Sequence, residues 1–170
     1  MARPQQEGAT AFLALYERAL PIVYGYLVSR CGDRLIAEDL TSETFLECAR
    51  ALDDRSPADL SVPWIVGVAR HKLVDHWRKR ARDARALAAI EGDADDAVDP
   101  EEPFDLTRTG AVLATLQPDQ RAALTLRYVD GLSVPTVADH LGRTIHATEA
   151  LLMRAKRAFR RAYLDGDDDA

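Results

Sequence analysis

The sequence predicts an all-α protein in which two small helical domains are joined by an acidic flexible linker. Apolar residues recur at the three- and four-residue spacing of helices, and no stretch shows convincing strand alternation. One central segment is acidic and has almost nothing to bury, which is typical of an extended linker. We predict domains at 8–85 and 107–164, a linker at 86–106 and an acidic tail at 165–170.

Three helices are predicted in the N-terminal domain. The first runs from Ala9 to Arg30, with Pro21 expected to kink or restart it. The second spans 37–52, and the third spans 63 to about 81, with Pro63 well placed in a first turn. The apolar stripes expected to form the core are Phe12, Leu15, Tyr16 and Ala19; Leu40, Thr44, Phe45 and Ala51; and Ile65, Ala69, Leu73 and Trp77.

The C-terminal domain is predicted to end in a helix-turn-helix, preceded by helices at 107–116 and 118–129. Ser133 can cap the first helix of the motif, Gly142 can end it, and a longer helix starts at Thr144. The stripe predicted to be buried is Val134, Val137, Ala138, Leu141, Ile145, Thr148, Leu152, Ala155, Phe159 and Ala162.

The net charge of −6 conceals two basic segments. Residues 70–85 hold 7 Lys/Arg against 2 Asp/Glu, and residues 142–163 hold 6 against 1. Residues 86–105 hold 8 acidic residues and no Lys or Arg. Local patches matter more than the total, because a Debye length of about 8 Å screens distant charges from each other.

Both basic segments admit a DNA-binding interpretation. The last helix presents small residues near its start and arginines further along, which suits major-groove entry followed by phosphate contacts. The basic third helix, with Trp64 at its entrance, suits single-stranded or distorted DNA. The alternative for each is an amphipathic helix with a solvated basic side. Trp77 is assigned to the core, whereas Trp64 remains open to either interpretation.

Several classes of protein are disfavoured by what the sequence contains. Cys31 and Cys48 stand far apart without a CxxC motif, which favours buried thiols in a reducing cytosol. We expect neither a signal-peptide core nor a run of about 18–20 apolar residues, hence a cytoplasmic protein without membrane insertion. No nucleophile–base pair, phosphate-binding glycine loop or metal-ligand spacing is recognised, so we expect no enzyme, cofactor or metal.

Four segments, in order, resemble the group-four (extracytoplasmic-function) sigma factors of bacterial RNA polymerase. They are 12–16 with 23–27, 37–45 (A-E-D-L-T-S-E-T-F), 63–70 (P-W-I-V-G-V-A-R) leading to Asp75 and Arg78, and 124–133 running into the helix-turn-helix. They cover nearly the whole chain outside the linker and tail. The resemblance implies a sigma region 2 bundle at 8–85 and a sigma region 4 domain at 107–164.

The resemblance also implies three binding surfaces. The residues implied in binding core RNA polymerase are Glu38, Asp39, Thr41, Glu43 and Phe45. Those implied in opening and reading the minus-ten element of promoter DNA, with the loop 53–63, are Trp64, Arg70, His71, Lys72, Asp75, His76, Arg78, Lys79 and Arg80. Those implied in reading the minus-thirty-five element are Arg143, Thr144, His146, Ala147, Glu149, Arg154 and Arg157.

Three residues depart from the family pattern. Ser42 replaces a usual glutamine, His71 replaces a common asparagine, and Thr148 occupies a position that is usually apolar. An anti-sigma factor is an expected partner, and the acidic linker is a candidate nucleic-acid mimic in the RNA-exit region. The rival interpretation is a free-standing DNA-binding regulator, which predicts a palindromic operator and tight binding without polymerase. The acidic cluster in 37–45 argues against that rival.

Overall fold

A computed structural model describes residues 4–54, 60–91 and 108–165. Within these ranges every regular element is helical, which confirms the predicted all-α class. The elements are α1 (Pro4–Cys31), α2 (Arg34–Asp54), α3 (Val62–Glu91), α4 (Arg108–Thr115), α5 (Pro118–Leu124), a π-helical turn (Thr125–Val129), α6 (Val134–Leu141) and α7 (Ile145–Asp165). The centre of the predicted minus-ten loop, most of the acidic linker and nearly all of the tail lie outside the described residues.

The chain divides into two compact units, Met1–Leu73 and Val74–Ala170. The boundary between these two units falls inside α3. The second half of α3 carries its own buried stripe, formed by Val74, Trp77 and Ala81. The guanidinium of Arg121 lies 4.4 Å from the Trp77 ring centroid, which attaches this part of α3 to the second unit. The helix also continues ten residues beyond its predicted end at Ala81, to Glu91.

The first unit is built on the packing of α1 against α2. One face of α1 is fully buried at a strict four-residue spacing, by Leu15, Ala19, Val23, Leu27 and Cys31. The predicted stripe of α3 is likewise buried at Ile65, Ala69 and Leu73. Phe12, Tyr16 and Ala51 are only half-buried and lie at the edge of the core.

Pro21 neither kinks α1 into two helices nor restarts it, since a single helix of 28 residues runs through it. Proline removes one backbone donor and leaves the carbonyl four residues earlier without its helical partner. Pro21 is exposed, so water can satisfy that carbonyl. At the start of α2, Asp33 Oδ1 accepts hydrogen bonds from the backbone N–H groups of Leu35 (2.7 Å) and Ile36 (3.3 Å). This cap begins α2 three residues earlier than predicted.

One segment corrects the expectation about apolar runs. Over Gly8–Cys31, α1 is long and apolar enough to cross a membrane by length and composition alone. The same helix exposes Glu17 and Arg18 near its middle and packs its opposite face on α2. Exposed charges on one side and a packed apolar face on the other are also typical of core helices in helical domains.

The second unit contains the predicted helix-turn-helix. Ser133 Oγ accepts a hydrogen bond from the Thr136 N–H at 3.3 Å, and Gly142 ends α6 in the left-handed conformation with φ 61°. Both predicted roles are confirmed. Val137, Ala138 and Leu141 are buried as predicted, as are Thr148, Leu152 and Ala155 of α7. Ile145 was expected in the core but is 50 % exposed. It is the first residue of α7, and the buried residues of that helix begin at Thr148.

The helix predicted at 118–129 is divided. It changes at Thr125 into a π-helical turn that ends at Val129. The Asp130 N–H donates to the carbonyl of Thr125 at 2.9 Å, five residues back, and the Leu132 N–H donates to that of Leu126 at 3.0 Å. The wider turn leads the chain into the Gly131 turn that precedes α6.

Candidate functional site

The exposed face of α2 carries both acidic and apolar side chains. Glu38, Asp39 and Glu43 are exposed, as their predicted binding role requires. Leu35 (72 % exposed) and Leu46 (57 %) flank them on the same helix. A face that combines carboxylates with solvent-exposed leucines is suited to a partner that is basic and apolar.

Two residues predicted for this face lie in the core instead. Thr41 is buried, and its Oγ1 donates a hydrogen bond to the Ala37 carbonyl at 2.7 Å. Phe45 is 7 % exposed and meets Tyr16 edge-on, with ring centroids 4.6 Å apart. Neither side chain is available for direct contact with a partner. The prediction that these two side chains contact a partner directly is therefore wrong: Phe45 packs on Tyr16 of α1, and the Thr41 hydroxyl bonds within α2.

The predicted minus-ten residues all lie on α3 but differ in exposure. His71, Asp75 and Lys79 are exposed at four-residue spacing and share one face of the helix. Trp64, Arg70, Lys72, His76, Arg78 and Arg80 are half-buried. Trp77 is buried at 4 % exposure, which confirms its assignment to the core.

Two of the half-buried cations contact other helices of the first unit. The Arg70 guanidinium lies 5.7 Å from the Tyr26 ring centroid, within reach of a cation–π interaction. Lys72 Nζ lies 3.8 Å from Glu47 Oε2, and that carboxylate is also 3.8 Å from Arg50. These contacts fix the direction of the two side chains and leave the exposed face to His71, Asp75 and Lys79.

In the second unit, one carboxylate joins α3 to the helix-turn-helix. Asp119 Oδ1 accepts from Arg78 Nε at 2.8 Å, and Asp119 Oδ2 accepts from an Arg143 N–H at 2.5 Å. Arg78 also donates to the carbonyl of Leu141 at 2.9 Å, at the C-terminal end of α6. Burial by itself raises the pKa of Asp119, but hydrogen bonds from Arg78 and Arg143 and their charges outweigh it, so the pKa is lowered.

The residues predicted to read the minus-thirty-five element, at the start of α7 and along it, are mostly exposed. Arg143, Thr144, His146, Glu149, Arg154 and Arg157 are exposed, and Ala147 is half-buried. Thr144 Oγ1 accepts from the Ala147 N–H at 3.2 Å and caps the helix. Thr148 is fully buried, and its hydroxyl donates to the Thr144 carbonyl at 2.9 Å, which shows how a polar residue is accommodated at this position.

Sequence reasoning missed two pairs of residues that extend these surfaces. Leu35 and Leu46 lie on the acidic face of α2. Leu35 stands four residues before Asp39 and Leu46 four residues after Ser42, a spacing that could have predicted this from the sequence. Arg82 and Arg85 are exposed on the same side of α3 as Arg78, at i+4 and i+7. Together with Arg78, Arg143 and Asp119 they line an open groove of about 570 Å³.

A second, apolar groove of about 490 Å³ lies within the second unit. Its walls come from α4, α5, the π-helical turn and α7, and include Leu113, Tyr128 and Phe159. Tyr128 is 54 % exposed, and Lys156 Nζ lies 5.0 Å from its ring centroid. The groove forms where segments distant in sequence pack together, so it could not be predicted from a local sequence pattern.

Two models of known protein families match this chain. Residues 15–83 match the family model Sigma-70 region 2, and residues 107–159 match Sigma-70, region 4. The chain is 32 % identical to the ECF RNA polymerase sigma factor BldN of Streptomyces coelicolor, over 96 % of this chain and 64 % of that protein. It is 34 % identical to the ECF RNA polymerase sigma factor SigC of Mycobacterium tuberculosis, over 72 % of this chain and 67 % of that protein.

A solved structure shows the same fold. It is the sigma factor RpoE of Bartonella quintana, in complex with the anti-sigma factor NepR. The TM-score is 0.57 with 22 % sequence identity, and the match covers 89 % of this chain and 95 % of that chain. The chain thus spans nearly all of that structure but less than two thirds of BldN.

Proposed function

The chain belongs to the sigma-70 family, among the extracytoplasmic-function (group-four) sigma factors, and from this premise we propose that it binds core RNA polymerase and initiates transcription at specific promoters. The observation that carries the proposal is the presence of region 2 and region 4 in one chain. Each region presents an exposed charged face of the sign its partner requires: acidic on α2, basic on α7.

The acidic face of α2 is the proposed site for core polymerase. Glu38, Asp39 and Glu43 supply charge that steers a basic partner and fixes its orientation. Leu35 and Leu46 supply apolar area whose burial stabilises the complex. Phe45, buried beneath this face, packs on Tyr16 of α1 and so supports the helix that presents it.

The exposed face of α3 is the proposed site for the minus-ten element. Taking a base out of the stack costs a few kcal/mol, which stacking and hydrogen bonds on the protein must recover. Trp64, half-buried at the start of α3, offers a ring for stacking, and His71 and Lys79 offer hydrogen-bond donors. The loop that precedes α3 belongs to the same proposal, although its centre lies outside the described residues.

The exposed face of α7 is the proposed reader of the minus-thirty-five element. Thr144, His146 and Ala147 lie at its N-terminal turn, where a recognition helix meets base edges. Arg154 and Arg157 lie two to three turns later, where contacts to the phosphate backbone are expected. Binding by either surface alone is expected to be weak. Attachment of both units to polymerase raises their effective concentration on the promoter.

Regulation by an anti-sigma factor is part of the proposal. It is supported by the fold shared with a sigma factor that was solved with such a partner. The apolar groove beside Tyr128 offers one exposed surface for a protein partner. We further propose that the protein acts in the cytoplasm as a transcription regulator, consistent with its two buried free thiols, Cys31 and Cys48.

Co-elution with purified core polymerase tests the proposal. Wild type should co-elute, and the double variant Asp39→Ala/Glu43→Ala should lose at least most of that binding, because both carboxylates lie on the proposed contact face. Glu17→Ala/Asp139→Ala is the matched control: it removes the same charge from exposed positions on α1 and α6. Failure of wild type to co-elute, together with tight binding of duplex DNA by the protein alone, would instead favour a free-standing DNA-binding regulator.

A further inference from the structure

The carboxylate of Asp119 lies between Arg78 and Arg143, which the resemblance to sigma factors implies in binding the minus-ten and the minus-thirty-five element of promoter DNA. It accepts from Arg78 at 2.8 Å and from Arg143 at 2.5 Å, one on each oxygen. The side chains of Arg78, Asp119 and Arg143 are 25 %, 30 % and 35 % exposed, so most of each is packed against protein. Arg78 has a further hydrogen bond to the Leu141 carbonyl, which restricts it more.

The groove around this cluster is strongly basic. The described residues that line it include four arginines (Arg78, Arg82, Arg85 and Arg143) and a single acidic residue, Asp119. A concave surface with this charge attracts polyanions, and a nucleic-acid backbone presents phosphates at the spacing such a surface can follow. Asp119 already supplies an anion to two of the four guanidinium groups.

We propose that Asp119 is an internal substitute for a DNA phosphate, which occupies Arg78 and Arg143 until a nucleic-acid backbone displaces it. The inference rests on the proposed function, because it takes both arginines as DNA contacts. A guanidinium binds carboxylate and phosphate through the same N–H groups, so a donor engaged by one is withheld from the other. A phosphate entering the groove also meets repulsion from the carboxylate it displaces.

The state of Asp119 at neutral pH fits this role. Its lowered pKa means that the carboxylate remains ionised throughout the neutral range and competes there as a full negative charge. The strength of this competition is therefore expected to depend on salt and on DNA concentration.

The test uses the full chain without polymerase and a short fluorescent DNA duplex, with anisotropy measured across a salt series. Asp119→Asn should bind about three- to tenfold more tightly, with a log–log salt slope steeper by about one to two, because two more arginines reach phosphate. Asp119→Glu keeps the carboxylate and should resemble wild type. Asp139→Asn removes the same charge from an exposed site on α6 and should change affinity much less.

Two outcomes would overturn the proposal. Equal gains from Asp119→Asn and Asp139→Asn would reduce the effect to net charge, and weaker binding by Asp119→Asn would mean that Asp119 positions the arginines for DNA. Pyrophosphate serves as a second probe. Tighter pyrophosphate binding by Asp119→Asn without any gain for the duplex would assign the groove to a small phosphate compound and reject the DNA backbone as its ligand.

Wild-type protein supplies an independent measurement if Asp119→Asn does not fold. In ¹⁵N spectra, the Arg78 Nε–H signal should shift when duplex is added, and a signal that stays fixed at DNA saturation would reject the proposal. Promoter-specific transcription by wild type with core polymerase is measured separately. Its absence rejects the proposed function, whereas normal transcription without any Asp119 effect rejects this inference alone.

Discussion

At the scale of single residues, exposure divides the predicted contact residues of α2 into exposed ones (Glu38, Asp39 and Glu43) and buried ones (Thr41 and Phe45). The motif 37–45 predicted a helix, and its three carboxylates are exposed because ionised side chains are rarely buried without a partner. It did not separate Asp39 from Thr41, since both stand in the same short motif and only packing on α1 shows that Thr41 is buried. The prediction that Ile145 is buried was wrong, because an apolar residue in the first turn of a helix can lie beyond the edge of the core.

Cys48 gives a prediction at this scale. Burial, and secondarily the charge of Glu47, raise the pKa of its thiol to about 11. The unfolded thiol ionises near 9.0, so this residue's contribution to stability is complete below that pH and is lost as pH rises towards 11. Native protein at pH 8 should therefore resist a thiol reagent such as DTNB, and urea-unfolded protein should react with it at Cys31 and Cys48. Rapid labelling of native Cys48, identified by mass spectrometry, would contradict its burial.

At the scale of helices, the sequence predicted two helix ends correctly but did not predict the π-helical turn or the full length of α3. The caps at Ser133 and Gly142 could be predicted from residue type. A serine hydroxyl accepts a hydrogen bond from a free N–H at the start of a helix, and glycine adopts the left-handed conformation at its end. The π-helical turn at 125–129 and the last ten residues of α3 were not readable. Both depend on neighbours distant in sequence, such as Arg121 over the Trp77 ring.

Two glycine substitutions should shift stability in opposite directions. Gly142→Ala should lower the free energy of unfolding by about 1–2 kcal/mol, because φ is 61° and a Cβ is strained in the left-handed region. Gly67→Ala, inside α3, should raise it by about 0.5–1 kcal/mol, since a Cβ there meets nothing within 4 Å. Urea denaturation followed by circular dichroism measures both. A stabilising Gly142→Ala would show that the turn tolerates another conformation.

At the scale of the whole molecule, the family and its two regions were identified from the sequence, and the family matches at 15–83 and 107–159 lie within the predicted domains 8–85 and 107–164. Charge and composition change at the acidic linker, so sequence places the boundary there. The two compact units of the structure divide within α3, where the buried stripe continues through Val74, Trp77 and Ala81. Composition cannot locate such a division, because a continuous helix shows no break in its sequence.

The salt dependence of transcription tests the basic face of α7. Arg154→Ala should weaken promoter use and make the log–log salt slope of promoter binding by the reconstituted holoenzyme shallower by about one, because one phosphate contact is lost. Arg18→Ala removes an exposed arginine from α1 and should leave the slope unchanged. Transcription that is the same for wild type and Arg154→Ala across the salt series would remove Arg154 from the DNA contact.

The burial of Trp77 beneath Arg121 has an optical consequence. The chain has two tryptophans, Trp64 in the first unit and Trp77 in the second. In a Trp64→Phe protein all indole fluorescence comes from Trp77, whose 4 % exposure implies blue-shifted emission. Because Arg121 and Asp119 share α5, any rearrangement that draws the end of α3 away from that helix exposes the indole and moves its emission to the red. Trp77 directly precedes Arg78, so its fluorescence reports on the surroundings of the arginine cluster.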